Sequence, residues 1–105
     1  LEAVPEGDGT MLDNTVIVYL SDAAEAHHSR CGQWPFVLIP GKNTGLQGGR
    51  YLDFPHYMQD GHREIGNLYT TLLHAAGEKR EYFGVRDAML KGAARGDGPL
   101  EALLS

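Results

Sequence analysis

The sequence predicts an α/β fold with two buried strands, an edge strand and one long amphipathic helix. Three observations carry that prediction. Thr15-Val-Ile-Val-Tyr-Leu20 and Pro35-Phe-Val-Leu-Ile39 are nearly unbroken apolar runs, rich in β-branched and aromatic residues, which suits strands covered on both faces, as in a parallel sheet. From about Arg63 to Ala76, the residues Ile65, Leu68, Tyr69, Leu72, Leu73 and Ala76 recur at the i, i+3, i+4, i+7 spacing of one buried helical stripe. The 14 glycines and 5 prolines gather at VPEGDG, IPGKNTGLQGG and AARGDGP, where they mark turns between compact elements.

Taken in order, LEAV reads as the last turn of a helix whose body lies upstream, and PEGDGT turns the chain. Thr10-Met-Leu-Asp-Asn14 then leads into the first strand. The segment between the two strands is too polar for a well-buried crossover helix and reads as a long loop. After the second strand, Pro40-Gly41 closes the run, and the glycines that follow make tight turns at positive φ. Arg50-Tyr-Leu-Asp-Phe54 alternates enough for a short edge strand. Asp60 is a fitting N-cap for the long helix and Gly77 a fitting stop. Tyr82-Phe83-Gly84 reads as a packing anchor, Asp87 to Ala93 as a short helix, and Pro99 to Leu104 as a terminal turn or helix. One long helix covers one face of a sheet, so the chain is expected to leave sheet surface for a partner: its own upstream part, or another copy in self-association.

The 105 residues make one domain of ordinary size, with 42% hydrophobic and 22% charged residues. Nine basic against 14 acidic residues give a net charge of −5, which argues against a nucleic-acid-binding face. No apolar run approaches the ~20 residues of a membrane span, and no segment has the build of a targeting signal. The single Cys31 excludes a disulfide-stapled scaffold and a zinc site with several cysteines. A start at Leu1 rather than Met is what an internal fragment or a processed protein would show.

The chemistry-bearing candidate is SDAAEAHHSR, directly after the first strand. Asp22 sits just past that strand's carboxyl end, where ligands bind in open α/β sheets. His27 and His28 follow five and six residues later. One carboxylate and one imidazole turned back onto the same ion suit a divalent metal such as zinc or manganese. Adjacent side chains point different ways in most backbones, so one of the two histidines is expected to ligate, His27 ahead of His28. The same residues also serve turn-making and solubility in loops, and both readings stand. PGKNTG fails as a phosphate loop, because Phe36 occupies the place of its first glycine and Asn43 follows Lys42. Trp34 reads as packing at the start of the second strand. His56, His62 and His74 read as surface or helix-end histidines, and Arg95-Gly96-Asp97 as chance. Cys31 has no nucleophile context, and no Gly-x-Ser-x-Gly elbow occurs.

The strings EGDGTMLDNTVIVYLSD, AH, VLIPG, GLQGGRYLDF, GNLYTTLLHAAG, FG and GPLEALL occur in this order across nearly the whole chain. Together they resemble the C-terminal part of the exported bacterial domain-of-unknown-function family 1552, which often begins with a twin-arginine signal and is related to the alkaline phosphatase and sulfatase superfamily. The resemblance implies that residues 1–105 are a partial α/β domain, the C-terminal portion of an alkaline-phosphatase-like sandwich with TVIVYL in the central sheet. It further implies a periplasmic or extracellular location. In metal-using relatives an Asp-His pair follows the corresponding strand, with a further histidine downstream. Asp22 matches the Asp, Ala23 stands where the His of the pair would be, and His27 (or His28 in its place) matches the downstream histidine. The implied chemistry is hydrolysis of a phosphate or sulfate ester assisted by zinc, manganese or calcium, with the nucleophile supplied from upstream. The alternative is a non-catalytic structural or binding domain of an exported or envelope protein.

Overall fold

The structure, a computed structural model, describes residues 1–22 and 32–104. Two antiparallel ribbons and one helix make up its regular elements. Strands β1 (Pro5–Glu6) and β2 (Gly9–Thr10) form a minimal hairpin around Gly7. A short 3-10 helix, Met11–Asn14, then turns the chain. Its entry is fixed by the Asp13 carboxylate, which accepts the Thr10 N–H at 2.8 Å. That backbone bond, reinforced by Lys42 at 3.3 Å, holds the Asp13 carboxyl below the usual carboxylate range.

Strands β3 (Val16–Leu20) and β4 (Phe36–Pro40) pair antiparallel, with Val18 opposite Leu38. This corrects the parallel expectation. It also corrects the expectation of two buried strands, since neither strand has a fully buried residue: a run of apolar residues fixes neither the direction of the neighbouring strand nor the covering of both faces. The Gly41 N–H donates to the Thr15 carbonyl at 2.8 Å. Ladder alternation then makes 17/39 and 19/37 the bonded pairs and turns the N–H and C=O groups of Val16, Val18, Leu20, Phe36 and Leu38 outward. Pro40 falls on the same outward parity, where its missing N–H removes no ladder bond. Both edges of the ribbon are open among the described residues.

The inner face of the ribbon packs on a small leucine cluster to which helix α1 (Ile65–Ala75) contributes Leu68. Leu46, Leu68, Leu100 and Leu103 form the buried centre, flanked by Val16, Phe36, Leu38, Leu52, Phe54, Ile65, Leu72 and Ala75. The outer face is apolar and uncovered: Ile17, Tyr19, Val37 and Ile39 are 37%, 76%, 54% and 49% exposed.

Helix α1 differs from its sequence reading in informative ways. Its N-cap is Glu64 rather than Asp60, because the Asn67 side chain reaches back to accept the Glu64 N–H at 2.8 Å. Its end is as expected. Gly77 at φ +90° sends its N–H to His74, and Glu78 sends its own to Leu73, the paired bonds that close a helix on a left-handed glycine. Of the expected stripe Leu68 is deeply buried, Ile65, Tyr69, Leu72 and Leu73 are half-buried, and Ala76 is exposed. The completely enclosed positions are instead polar: Asn67, Thr70 and Thr71 have no exposed surface.

The C-terminal third explains that inversion. Residues 82–100 cross the polar side of α1 as irregular chain, and the helix supplies their missing partners. The Thr70 hydroxyl donates to the Gly66 carbonyl and accepts the Phe83 N–H at 3.0 Å. The Thr71 hydroxyl donates to the Asn67 carbonyl and accepts the Leu100 N–H at 2.7 Å. Gly66 lets the Tyr82 phenol lie directly on the helix backbone. Burial, then the hydrogen bond to the Glu64 carboxylate, pushes that phenol up to about 12. The expected helix from Asp87 to Ala93 is a turn followed by a 3-10 turn at Gly92–Ala94, and the terminal turn is the 3-10 helix Glu101–Leu103.

Arg50–Phe54 is not a strand. Leu52 and Phe54 face inward and Tyr51 and Asp53 outward, so the strand alternation is present, but among the described residues the segment forms no ladder. Leu46 and Leu104 share an isolated bridge, and the Gln47 N–H donates to the Leu103 carbonyl at 2.8 Å, which ties the start of this segment to the C-terminus.

Candidate functional site

Two places hold chemistry-bearing side chains: the end of β3 and a cleft beside β4. At the first, Asp22 is exposed, two residues past Leu20, at the carboxyl end of the strand. The two ends of the connecting loop are pinned there, as the Trp34 indole N–H donates to the Ser21 carbonyl at 3.0 Å. His27 and His28, like Ala23 and Cys31, lie outside the described residues, so the structure places only the carboxylate of the three expected metal ligands. Among the described residues no three His, Cys, Asp or Glu side chains are grouped to hold a metal ion. No described helix is long and apolar enough to cross a membrane.

The cleft has a volume of about 800 Å³ and runs between β4, residues 47–56 and the start of α1. Its floor is the buried centre, with Leu68, Leu100 and Leu103. Half-buried Trp34, Phe36 and Phe54 stand on its walls, and His56 and His62 face it from the loop that leads into α1. Among its lining residues Gly48 lies against the Pro40 ring, and the Gln33 and His56 side chains meet at 3.5 Å.

The loop of residues 55–62 is tightly made. Gln59 caps it twice: its side chain accepts the His56 N–H, and its N–H donates to the His56 carbonyl. Met58 takes φ +72°, a left-handed conformation that a non-glycine residue adopts only when its surroundings impose it. His62 is buried, with Nδ1 3.0 Å from the Pro55 carbonyl oxygen. The Tyr57 ring meets it edge-on, at 5.5 Å and 89°. The Tyr57 hydroxyl donates to the Asp87 carboxylate, which also accepts the Met89 N–H at 2.8 Å. The phenol bond, then the backbone bond, holds the Asp87 carboxyl below its usual range, and the same carboxylate pushes the Tyr57 phenol up.

The sequence reading treated His56 and His62 as surface or helix-end residues and so missed this loop. A usable signal was present in PHYMQDGH, where two imidazoles and a phenol share a stretch with no helical or strand periodicity. His74, by contrast, does sit at a helix end, with Nε2 2.8 Å from the Arg80 carbonyl oxygen. No protein-family model, no curated protein and no solved structure matches this chain.

Proposed function

We propose that this chain is the C-terminal portion of an exported alkaline-phosphatase- or sulfatase-like protein, in which it completes an α/β sandwich and lends Asp22 to a divalent-metal site for ester hydrolysis. The observation that carries the reading is the β3–β4 ribbon. Its inner face is packed, and among the described residues its outer face of Ile17, Tyr19, Val37 and Ile39 is apolar and uncovered and its two edges are open. A ribbon of that kind has the surface of an internal piece of a larger sheet, since a lone two-stranded sheet is marginal in water. Asp22, exposed just past the end of β3, is the described residue on which the metal reading draws. Zinc, manganese or calcium would polarise a phosphate or sulfate ester, Asp22 and His27 (or His28) would supply part of the shell, and the nucleophile would come from upstream.

Metal analysis of the polypeptide with its upstream sequence tests this, comparing wild type with the Asp22→Ala, His27→Ala double variant. The expected result is loss of about one equivalent of metal, together with hydrolysis of aryl phosphate or sulfate. Equal metal content in both proteins removes these residues from any site. A second reading, a non-catalytic structural or binding domain of an exported or envelope protein, is favoured by Ala23, which leaves the Asp-His pair one ligand short. It predicts a blank ester-hydrolase screen with each of the three metals added.

A further inference from the structure

We propose that the cleft between β4, residues 47–56 and the start of α1 binds a small aromatic molecule carrying a hydroxyl group, with Nε2 of His62 as the hydrogen-bond acceptor. This goes beyond the proposed metal site, uses none of its residues and stands or falls separately.

The state of His62 supplies the polar half of the argument. It is 8% exposed. Its Nδ1 lies 3.0 Å from the Pro55 carbonyl oxygen. A carbonyl oxygen only accepts, so Nδ1 carries the proton and donates. In the neutral ring this leaves the lone pair on Nε2. Nε2 has no hydrogen-bond partner among the described residues, yet no buried side-chain nitrogen or oxygen there is left without one. Nε2 therefore keeps some accessible surface, and His62 is one of the residues that line the cleft. The carbonyl bond and the edge of Tyr57 hold the imidazole in place, so the acceptor is positioned before anything binds.

The walls supply the apolar half. The Trp34 indole cannot swing freely because its N–H is tied to Ser21, and its half-buried ring lines the cleft. Phe36 and Phe54 add aromatic surface, and the leucines of the core form the floor. A volume of about 800 Å³ lies within the ~300–1,000 Å³ of organic-ligand sites, which pair an apolar body with a few fixed polar groups. The molecule that satisfies both halves is a flat aromatic ring system whose O–H donates to Nε2.

Titration with 2-naphthol and with its methyl ether, followed by NMR, tests this. Trp34 is the only tryptophan, so its indole N–H signal reports on the cleft without ambiguity. The expected result is saturable movement of that signal, with the naphthol binding about five- to tenfold more tightly than the ether, as one net hydrogen bond would give. The His62→Phe variant should bind the two alike. Should that variant not fold, the Nε2 nitrogen resonance of wild-type His62 decides: it moves with the naphthol and not with the ether. Equal affinity for both compounds, no saturation at Trp34, or shifts spread over the whole surface would each overturn the proposal.

Discussion

Asn67 ties three stretches of chain together from a position with no exposed surface. Its side-chain oxygen accepts the Glu64 N–H, and its amide donates to the carbonyls of Gly96 and Gly98 at 3.0 and 2.9 Å. Asn67→Leu leaves those two carbonyls and the N-cap N–H of Glu64 without their side-chain partner in half-buried surroundings, where an unmet group costs about 1–3 kcal/mol. The expected loss is about 3 kcal/mol, read as a lower urea midpoint at unchanged slope. Tyr57 and Asp87 give a prediction of a different kind. The folded Asp87 carboxyl lies below its ordinary value, so its contribution to stability is present above pH ~4 and fades as pH falls through the lowered value. The folded Tyr57 phenol lies above its ordinary value, so its contribution is complete below pH ~10 and fades as pH rises through the raised value. Asp87→Asn removes both effects: the acid limb of the stability profile flattens, and the Tyr57 phenolate absorbance appears at lower pH than in wild type. An unmoved phenolate titration would show that the two groups do not meet in solution.

At the scale of elements, α1 depends on two glycines for different reasons. Gly77 takes a left-handed φ at the helix stop, so Gly77→Ala should cost about 1 kcal/mol. Gly66 has Tyr82 lying on its backbone, so Gly66→Ala drives a methyl group into the phenol and lifts residues 82–84 off the helix. Its cost should exceed that of Gly77→Ala, and Tyr82→Phe should not repair it, because the ring itself is in the way. Equal costs would mean that this loop is not seated on α1. The same elements show what the sequence made legible. The strands over Val16–Leu20 and Phe36–Pro40 and the helix over Ile65–Ala75 follow from apolar patterning, which records avoidance of water. Strand direction leaves no such trace, which is why the antiparallel pairing was unreadable. The buried side of α1 was hidden for a related reason. Asn67, Thr70 and Thr71 look solvent-facing in a helical projection, and only the irregular chain laid across them makes them interior. Arg50–Phe54 carries the alternation of a strand and packs Leu52 and Phe54 on the core, but among the described residues it pairs with no strand. Of the candidate sites, Asp22 was legible from its place after a strand, whereas the enclosure of His62 depends on Pro55 and Tyr57 folding back around it.

For the molecule as a whole, the extents of 46 × 29 × 23 Å and a radius of gyration of 15.1 Å describe a body more drawn out than the ~13 Å of a compact chain this size. Its buried hydrophobic residues among those described are few: Leu46, Leu68, Leu100 and Leu103 cluster on the inner side of the ribbon, and Leu90 and Ala94 lie outside that cluster. The opposite face consequently contributes little to the fold of the isolated chain while presenting apolar surface to water. Substitutions there should separate folding from association. In the Val37→Thr, Ile39→Thr double variant, β-branched residues replace β-branched residues, strand preference is kept, and the positions remain on the exposed side of β4. Thermal stability should change by less than about 0.5 kcal/mol per site, as for other exposed substitutions. Light scattering should meanwhile show the wild-type chain gaining mass with concentration and the variant holding the mass of one copy. If the wild type stays a single copy at high concentration, the uncovered face does not draw two copies together. If the variant instead loses several kcal/mol, that face is already covered from within the chain, and the ribbon is not the open end of a larger sheet.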